Sequence, residues 1–222
     1  MIAIANILNA DELQTINDYL ATAEFVDGKL TAGKFVKGVK NNLQVKSREG
    51  KPSEVDQTIV NALSRNDVFS GFVLPRRFMT PLFSKYEPGM QYGSHVDSAL
   101  MGTGDLMRCD VSVTVFLNDP ASYEGGQLMI GTPSGERAVK LPAGAAVVYA
   151  SDTLHRVAPV SSGVRLVAVT WAQSYVRDEQ MRQILYDMKA ASRIVATRAA
   201  DSPEAKLLFK SHANLLRKVA EP

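Results

Sequence analysis

Cysteine is almost absent from this chain of 222 residues, which contains Cys109 and no other thiol. A single cysteine excludes an intramolecular disulfide and every zinc module that depends on several cysteines. It also fits a reducing compartment. Any metal site must therefore be built mainly from His, Asp and Glu side chains, and the chain offers only three histidines.

Long apolar runs are missing as well. No stretch approaches the roughly 18 apolar residues that a membrane-spanning helix needs. The N-terminus has neither the basic start nor the sustained apolar core of a signal peptide. We therefore expect a cytoplasmic protein with no membrane partner. A composition of 45% apolar and 22% charged residues is typical of a globular protein, here one large domain or a domain with a helical appendage.

Negative charge is scarce in residues 28–51, where Glu49 is the only acidic residue. The segment could attract an anionic partner. Because it lacks a series of aromatic residues interleaved with the charges, on which bases could stack, we expect a solvated loop or edge strand and no nucleic acid as partner. Its basic residues are Lys29, Lys34, Lys37, Lys40, Lys46, Arg48 and Lys51.

Both ends of the chain have helical patterns. Asn9 or Asp11 can cap a first helix, and Ser53 with Asp56 three residues later forms a capping-box pattern before a second. After Tyr175 the helical period returns, and a last helix opens at Ser202 followed by proline. One face of the first tail helix is apolar and should pack on the β unit or on another subunit; it carries Met181, Ile184, Leu185 and Met188.

Between these ends, from about residue 72, short apolar segments alternate with turn sequences. Residues 108–117 alternate strictly, and further strands are predicted at 127–130, 145–150, 154–160 and 164–172. This spacing indicates a β-sandwich or barrel. We therefore expect a mainly β protein with flanking helices: an N-terminal helical and β support region (1–75), a β core (76–176) and a C-terminal helical extension (177–222).

Three residues of the core suggest a metal site. His95 and Asp97 are two positions apart in an extended segment, so their side chains share a face, and His155 stands at the start of a later strand. Two histidines and one carboxylate are the facial triad that binds Fe(II) and leaves coordination positions open for O2. The third histidine, His212, lies beside an apolar helix face and is read as a packing or surface residue.

Arg165 follows His155 by ten residues and suggests an anion site. If Ser161-Ser162-Gly163 closes a three-residue hairpin loop, His155 and Arg165 face the same side, about four residues or ~14 Å apart along the strands. A five-carbon dicarboxylate and the arginine side chain would fill that gap, and an arginine fork binds a terminal carboxylate through two parallel hydrogen bonds.

At these residues the chain resembles the Fe(II)- and 2-oxoglutarate-dependent oxygenases, and among them the bacterial PKHD-type hydroxylases. The resemblance is carried by TAGKFVKGVKNNLQV (31–45), KYEPGMQYGSHVDSALMG (85–102), YEGGQL (123–128), LPAGAAVVYASDTLHRVAPVSSGVRLVAVTWAQS (141–174) and the helical tail.

It implies a double-stranded β-helix (jelly-roll) core, Fe(II) bound by His95, Asp97 and His155, and 2-oxoglutarate bound by Arg165. The implied reaction hydroxylates a substrate while 2-oxoglutarate and O2 become succinate and CO2. Related enzymes use L-ascorbate (vitamin C) to keep the iron reduced, although no residue of this chain indicates it.

Other residues have two readings. Tyr86 could reach the cosubstrate or be a half-buried core residue. Ser112 and Thr114, on the polar face of the long strand, could add hydroxyl contacts. Trp171 is expected to pack in the core. Two rival functions also stay open: a cupin-like metal enzyme in which Arg165 binds the substrate itself, and a non-catalytic sensor of iron or 2-oxoglutarate. The substrate, a small molecule or a peptide, is not indicated, and the tail helices could form a homo-oligomer.

Overall fold

The computed structural model describes residues 1–31, 33, 36–46, 52–102 and 104–221. Three basic residues of the segment 28–51, namely Lys34, Arg48 and Lys51, lie outside this described part. The helices are α1 (Ala10–Thr22), α2 (Glu54–Arg65), α3 (Asp67–Val73), α4 (Glu179–Ala199) and α5 (Pro203–Val219). None of them is both long and apolar enough to cross a membrane.

The strands are short. In chain order they are β1 (Ile2–Ile4), β2 (Phe25–Asp27), β3 (Lys40–Asn41), β4 (Leu43–Val45), β5 (Pro75–Phe78), β6 (Leu82–Tyr86), β7 (Gln91–His95), β8 (Leu100–Met101), β9 (Met107–Arg108), β10 (Val111–Phe116), β11 (Tyr123–Gly125), β12 (Leu128–Thr132), β13 (Gly135–Val139), β14 (Ala146–Ala150), β15 (His155–Val157), β16 (Val160–Gly163) and β17 (Arg165–Ser174).

Helix starts follow the capping patterns of the sequence. Asn9 accepts a hydrogen bond from the backbone of Glu12, whose side chain accepts one in return, so α1 begins with a capping box. Ser53 and Asp56 form the same reciprocal pair at α2. Ser202 caps α5. The predicted helix starts are therefore confirmed. They could be predicted because a cap is a local feature, set by residues three positions apart.

Two antiparallel sheets face each other. The larger has eight strands in the order β1-β14-β10-β17-β6-β4-β2, with β5 also pairing with β17; the smaller has the order β13-β12-β15-β7-β3. The chain passes from the smaller sheet to the larger between β3 and β4, at Asn42. The expected mainly β architecture with flanking helices is therefore confirmed. Strands β2, β3 and β4, which precede residue 76, extend both sheets, and the three-region division stays a prediction.

The core has two layers. Helices α1, α2 and α3 cover the outer face of the larger sheet, where Ile16, Ile59 and Phe69 pack with Val113 of β10. A second cluster fills the space between the sheets and includes Phe116, Leu128 and Val167. Strand β10 is consequently buried along its whole length, so its polar residues point into the interior rather than toward water.

The hairpin predicted from residues 154 to 172 is wrong. Strand β15 belongs to the smaller sheet, and β17 belongs to the larger one. The residues between them form β16, which pairs with β11, and Arg165 lies opposite Tyr86 rather than Pro159. The loop pattern was compatible with a hairpin, but the chain here crosses from one sheet to the other.

The C-terminal helices pack on the α3 side of the molecule. Leu185 of α4 is fully buried, and Tyr186 meets Phe72 of α3 edge to face at 5.4 Å between ring centroids. Ile184, on the predicted apolar face, is 46% exposed and does not pack within the described part of this chain, so its packing on another subunit stays a prediction. Its position on the helix turns it away from the α3 contact that buries Leu185.

Candidate active site

A cavity of about 230 Å³ lies between the two sheets. Side chains from both sheets line it, which is the expected location for a ligand in a small β-barrel or sandwich. His95, Asp97, His155 and Arg165 all line this one cavity. The structure thus brings together the four residues that the sequence singled out, and it does so from three separate stretches of chain.

The two histidines meet because their strands are neighbours. His95 ends β7 and His155 begins β15, and the two residues are direct partners in the ladder. Nε2 of His95 lies 4.0 Å from Oδ1 of Asp97, and Nε2 of His155 lies 3.8 Å from Oδ2. All candidate ligand atoms of this group lie within 4.8 Å of one another. In the part of the chain that the structure describes, no other such cluster of His, Cys, Asp or Glu occurs.

Backbone carbonyls fix the orientation of both imidazoles. Nδ1 of His95 is 2.8 Å from the Gly93 oxygen, and Nδ1 of His155 is 2.9 Å from the Thr153 oxygen. A carbonyl can only accept, so each Nδ1 carries a proton, and in the neutral form of the ring Nε2 would present its lone pair toward Asp97. Burial, together with the neighbouring His155, lowers the pKa of His95 and favours the neutral imidazole that a metal requires.

Asp97 is held by a pair of serines. Ser112 Oγ donates to its Oδ2 at 2.5 Å, and the Ser151 hydroxyl lies 2.8 Å from that of Ser112. The Asp97 backbone N–H also donates to the Ser151 carbonyl at 3.2 Å. The sequence suggested Ser112 through its place on β10. Ser151 was missed, because it follows a strand end where no periodic signal remains.

Arg165 is a buried cation with no anionic partner in the part of the chain that the structure describes. It is 1% exposed, and its Nε and Nη1 atoms have no hydrogen-bond acceptor among the described residues. Its guanidinium carbon lies 5.0 Å from the centre of the Tyr86 ring and 5.7 Å from that of Phe116. Burial lowers its pKa, and nearby tyrosines oppose that shift. A guanidinium stays protonated even so, and therefore presents an uncompensated charge to the cavity.

Phenol groups surround this arginine. Tyr86 lies opposite Arg165 in the ladder between β6 and β17, and it lines the cavity as the sequence allowed. Tyr149 lines it too but was missed, because it sits within the apolar run of β14. Burial raises the pKa of both phenols, so they remain protonated and can donate hydrogen bonds. Thr114 also lines the cavity.

Three further residues considered from the sequence differ in their position relative to the cavity. Trp171 lines the cavity, and its indole N–H has no acceptor in the described structure. Cys109 is buried beside it, and burial raises the pKa of the thiol to about 12, which makes it a poor nucleophile. His212 lies on α5 and is not among the residues of the cavity.

Lys40, a residue of the basic segment 28–51, lines the cavity, and sequence reasoning missed it. Lys40 of β3 is 5% exposed and lines the cavity, whereas the sequence placed the whole segment in a solvated loop or edge strand. The edge-strand part of that expectation is confirmed for Lys40, because β3 is the last strand of the smaller sheet. The side chain is not solvated, however, and faces the cavity between the sheets.

The family model for the 2OG-Fe(II) oxygenase superfamily matches residues 81–173. Among curated proteins, a PKHD-type hydroxylase of Acaryochloris marina is 47% identical over 221 residues, with 100% of both chains covered. A PKHD-type hydroxylase of Thermosynechococcus vestitus is 48% identical over 223 residues, covering 100% of this chain and 99% of the relative.

Solved structures agree at the level of the fold. A Pseudomonas putida prolyl-4-hydroxylase superimposes with a TM-score of 0.57 at 23% identity, covering 78% of this chain and 91% of the other. The viral collagen prolyl hydroxylase of Paramecium bursaria Chlorella virus-1, solved with 2-oxoglutarate, gives a TM-score of 0.53 at 20% identity, covering 78% and 95%.

Proposed function

Because the chain belongs to the 2-oxoglutarate- and Fe(II)-dependent oxygenases, and among them to the PKHD-type hydroxylases, we propose that His95, Asp97 and His155 bind the Fe(II) ion and that Arg165 binds 2-oxoglutarate. The protein is a dioxygenase with the double-stranded β-helix core that the sequence led us to expect. The substrate that it hydroxylates is not identified by the family.

The donor set fits Fe(II). Two imidazoles and one carboxylate converge within 4.8 Å, and three protein ligands leave room for exchangeable ones. In our proposal the Gly93 and Thr153 carbonyls keep both Nε2 atoms aimed at the metal, and Ser112 keeps the Asp97 carboxylate in place. Asp97 as a ligand favours hydroxylation over halogenation, because a halide would need the coordination position of that carboxylate.

The two unpaired donors of the Arg165 guanidinium, Nε and Nη1, carry the proposal for 2-oxoglutarate. An isolated charge in the interior is strongly unfavourable unless an opposite charge meets it. Its Nε and Nη1 atoms have no acceptor among the described residues. A guanidinium fork can bind the far carboxylate of a dicarboxylate in two parallel hydrogen bonds. Tyr86, beside the guanidinium, could add a hydrogen bond to the same carboxylate.

When bound, iron and 2-oxoglutarate supply the oxidation, in which the cosubstrate and O2 yield succinate and CO2 and an oxygen atom enters a substrate C–H bond. The chain's own residues bind and orient these groups. Arg165 sets the position of the cosubstrate by its far end, the two histidines and Asp97 set the position of the metal, and apolar residues such as Leu128, Val157 and Val169 exclude water from the cavity.

Succinate formation tests the proposal against its rivals. A cupin-like enzyme without cosubstrate would not convert 2-oxoglutarate, and a non-catalytic sensor would bind it without turnover. We expect the iron-loaded protein to produce succinate from 2-oxoglutarate and O2, even slowly and without substrate. Its absence in protein that holds one iron per chain would contradict the proposal.

The ligand assignment has its own test. His95→Ala or His155→Ala should leave a folded protein with little iron affinity, because each change removes one of three protein ligands. His212→Ala is the matched control, since it removes the third histidine outside the cavity and should keep full iron content. Near-normal iron stoichiometry in both site variants would overturn the assignment.

We further propose, on the family resemblance alone, that ascorbate sustains turnover by keeping iron reduced and that the protein works in the cytoplasm. Activity that is independent of ascorbate over many turnovers would contradict the first proposal. Fractionation of cells that express the protein would test the second.

A further inference from the structure

The cavity contains a second buried cation that the proposed chemistry does not use. Lys40 lies on β3, opposite Tyr92 of β7, and its side chain is almost wholly removed from water. Lysine is rarely buried without a paired charge. No carboxylate lies within ion-pair distance of Lys40 in the described ranges of the chain.

A chain of hydrogen bonds holds the ammonium in place. Lys40 Nζ donates to Thr31 Oγ1 at 2.9 Å, Thr31 Oγ1 donates to Gln44 Oε1 at 2.5 Å, and Gln44 Nε2 lies 3.3 Å from Ser84 Oγ. The chain runs from the edge of the smaller sheet to β6 of the larger one. An ammonium has three N–H groups, and Thr31 is the only acceptor that the described structure gives it.

The position of this cation relative to the metal ligands is also defined. Nζ lies 5.3 Å from the centre of the Tyr92 ring, and that ring stacks on His95 with 3.8 Å between centroids. Lys40 and a proposed iron ligand therefore both lie near the same aromatic ring, that of Tyr92. Arg165 lies against different rings, those of Tyr86 and Phe116.

These positions assign the two cations to different ligands. A 2-oxoglutarate molecule has two carboxylates, and the proposed function uses both, one at Arg165 and one at the metal. We propose that Lys40, positioned by Thr31 and Gln44, binds an anionic oxygen group, a carboxylate or a phosphate, of the substrate that is hydroxylated. This inference rests on the proposed function and deepens it by naming a substrate class.

Binding of small anions to the loaded protein tests this assignment. We would load ¹⁵N-labelled protein with zinc and saturating 2-oxoglutarate and titrate it with sodium phosphate or sodium propionate at constant ionic strength. We expect saturable shifts of the Lys40 and Tyr92 amide signals with at least one probe, at a dissociation constant on the order of 10 mM for a single charge-assisted contact. The responding probe distinguishes phosphate from carboxylate.

Matched variants locate the effect. Lys37→Met removes an exposed lysine from the turn before β3 and should leave the titration unchanged. Lys40→Met should weaken probe binding at least tenfold, while Lys40→Arg, which keeps the charge, should retain part of it. Thr31→Val keeps the lysine, removes its acceptor and should weaken binding several-fold. Absence of saturable shifts in the wild type, or equal shifts in Lys40→Met, would overturn the inference.

A second measurement separates this inference from the proposed function. The anaerobic affinity for 2-oxoglutarate should be nearly unchanged in Lys40→Met. A loss as large as that in Arg165→Lys would mean that Lys40 belongs to the cosubstrate site, which would overturn the inference. Failure of the wild type to bind 2-oxoglutarate at all would instead refute the proposed function.

Discussion

At the scale of single residues, the most informative side chains are the buried cations. Their hydrogen-bond partners show which cations the fold itself satisfies and which are left for a ligand. Arg182 is 5% exposed, but its Nη1 donates to the carbonyls of Val176 and Arg177, so the fold itself satisfies it. Arg165 keeps two donors unpaired, and Lys40 has one hydroxyl acceptor. A buried charge that the protein leaves incomplete is best explained by a ligand that completes it.

The Arg165 fork gives the first prediction. Arg165→Lys keeps the charge but loses bidentate geometry, so 2-oxoglutarate affinity should fall by about 10- to 150-fold, or roughly 1.5 to 3 kcal/mol, while iron binding is nearly unchanged. Arg165→Ala should lower affinity further, because a carboxylate would be buried without its partner. Anaerobic titration of the visible band of the iron chelate measures this. Unchanged affinity in Arg165→Ala would assign the cosubstrate to another residue.

Lys40 gives a prediction about stability and pH in the metal-free protein. Burial lowers its pKa from 10.5 to about 8, against the opposing charges of Asp97 and Asp27. Between these values the unfolded chain binds the proton and the folded chain does not, so this group makes the folded protein more stable as pH rises. Lys40→Met should therefore stabilise the protein at pH 7, by at most about 3 kcal/mol, and this gain should shrink above pH 8.

Denaturant unfolding at a series of pH values measures the effect, with Lys37→Met as the control for loss of one positive charge. A stability gain for Lys40→Met that stays constant between pH 7 and pH 10 would contradict this prediction. A gain at pH 7 would also mean that the charge is kept at a cost to the fold, as expected for a binding residue.

At the scale of elements, local patterns predicted faces and ends but not pairing. The alternation of residues 108–117 located β10, and the capping pairs located α1 and α2, because these signals depend on residues close in sequence. The partners of β17 could not be found in this way, since it pairs with β10 and β6 over long sequence distances. Strands as short as β3, with two residues, carry no detectable period.

The same limit explains which site residues were found. His95, Asp97, His155 and Arg165 stood out by side-chain chemistry and spacing, whatever the pairing of their strands. Ser151, Tyr149 and Lys40 have common side chains whose importance appears only when the sheets are assembled. Their positions depend on crossings between sheets, and a crossing such as that at Asn42 leaves no signature in composition or period.

The YEGGQL turn gives a prediction at this scale. Gly126 has φ 65°, and a Cβ placed there would lie 3.0 Å from Arg165 Cδ and from Val160 Cγ2. Gly126→Ala should cost about 1 to 2 kcal/mol of folding stability through the left-handed backbone. By displacing the arginine, it should also lower 2-oxoglutarate affinity roughly tenfold, the effect of one weakened charge-assisted hydrogen bond.

Gly89→Ala separates backbone strain from displacement of Arg165. Gly89 has φ 84°, and no heavy atom would lie within 4 Å of an added Cβ. Both variants should lose thermal stability through backbone strain, Gly126→Ala somewhat more because its Cβ is also crowded, but only Gly126→Ala should lose affinity for 2-oxoglutarate. Equal affinities in the two variants would show that the turn does not position Arg165.

At the scale of the whole molecule, helices support one side of the sandwich and leave the cavity between the sheets. Helices α1 to α3 cover the larger sheet, and α4 extends this layer by packing on α3. The end of the chain returns to the β unit, where the Glu221 N–H donates to the Tyr175 carbonyl at 2.7 Å and its carboxylate pairs with Arg108 at 2.9 Å. Assembly through these helices stays a prediction.

This arrangement predicts the effect of removing the tail. Truncation after residue 176 removes fully buried Leu185 and uncovers Phe72 on α3, so the remaining chain should be less stable and more prone to aggregate. Leu185→Ala should reproduce part of this loss, about 2 to 5 kcal/mol for a buried leucine, as measured by denaturant unfolding. Ile184→Ala is the matched control on the next residue, which is 46% exposed, and it should change stability by no more than about 0.5 kcal/mol. A soluble, fully active truncated monomer would show that the β unit does not need the helical layer formed by α4 and α5.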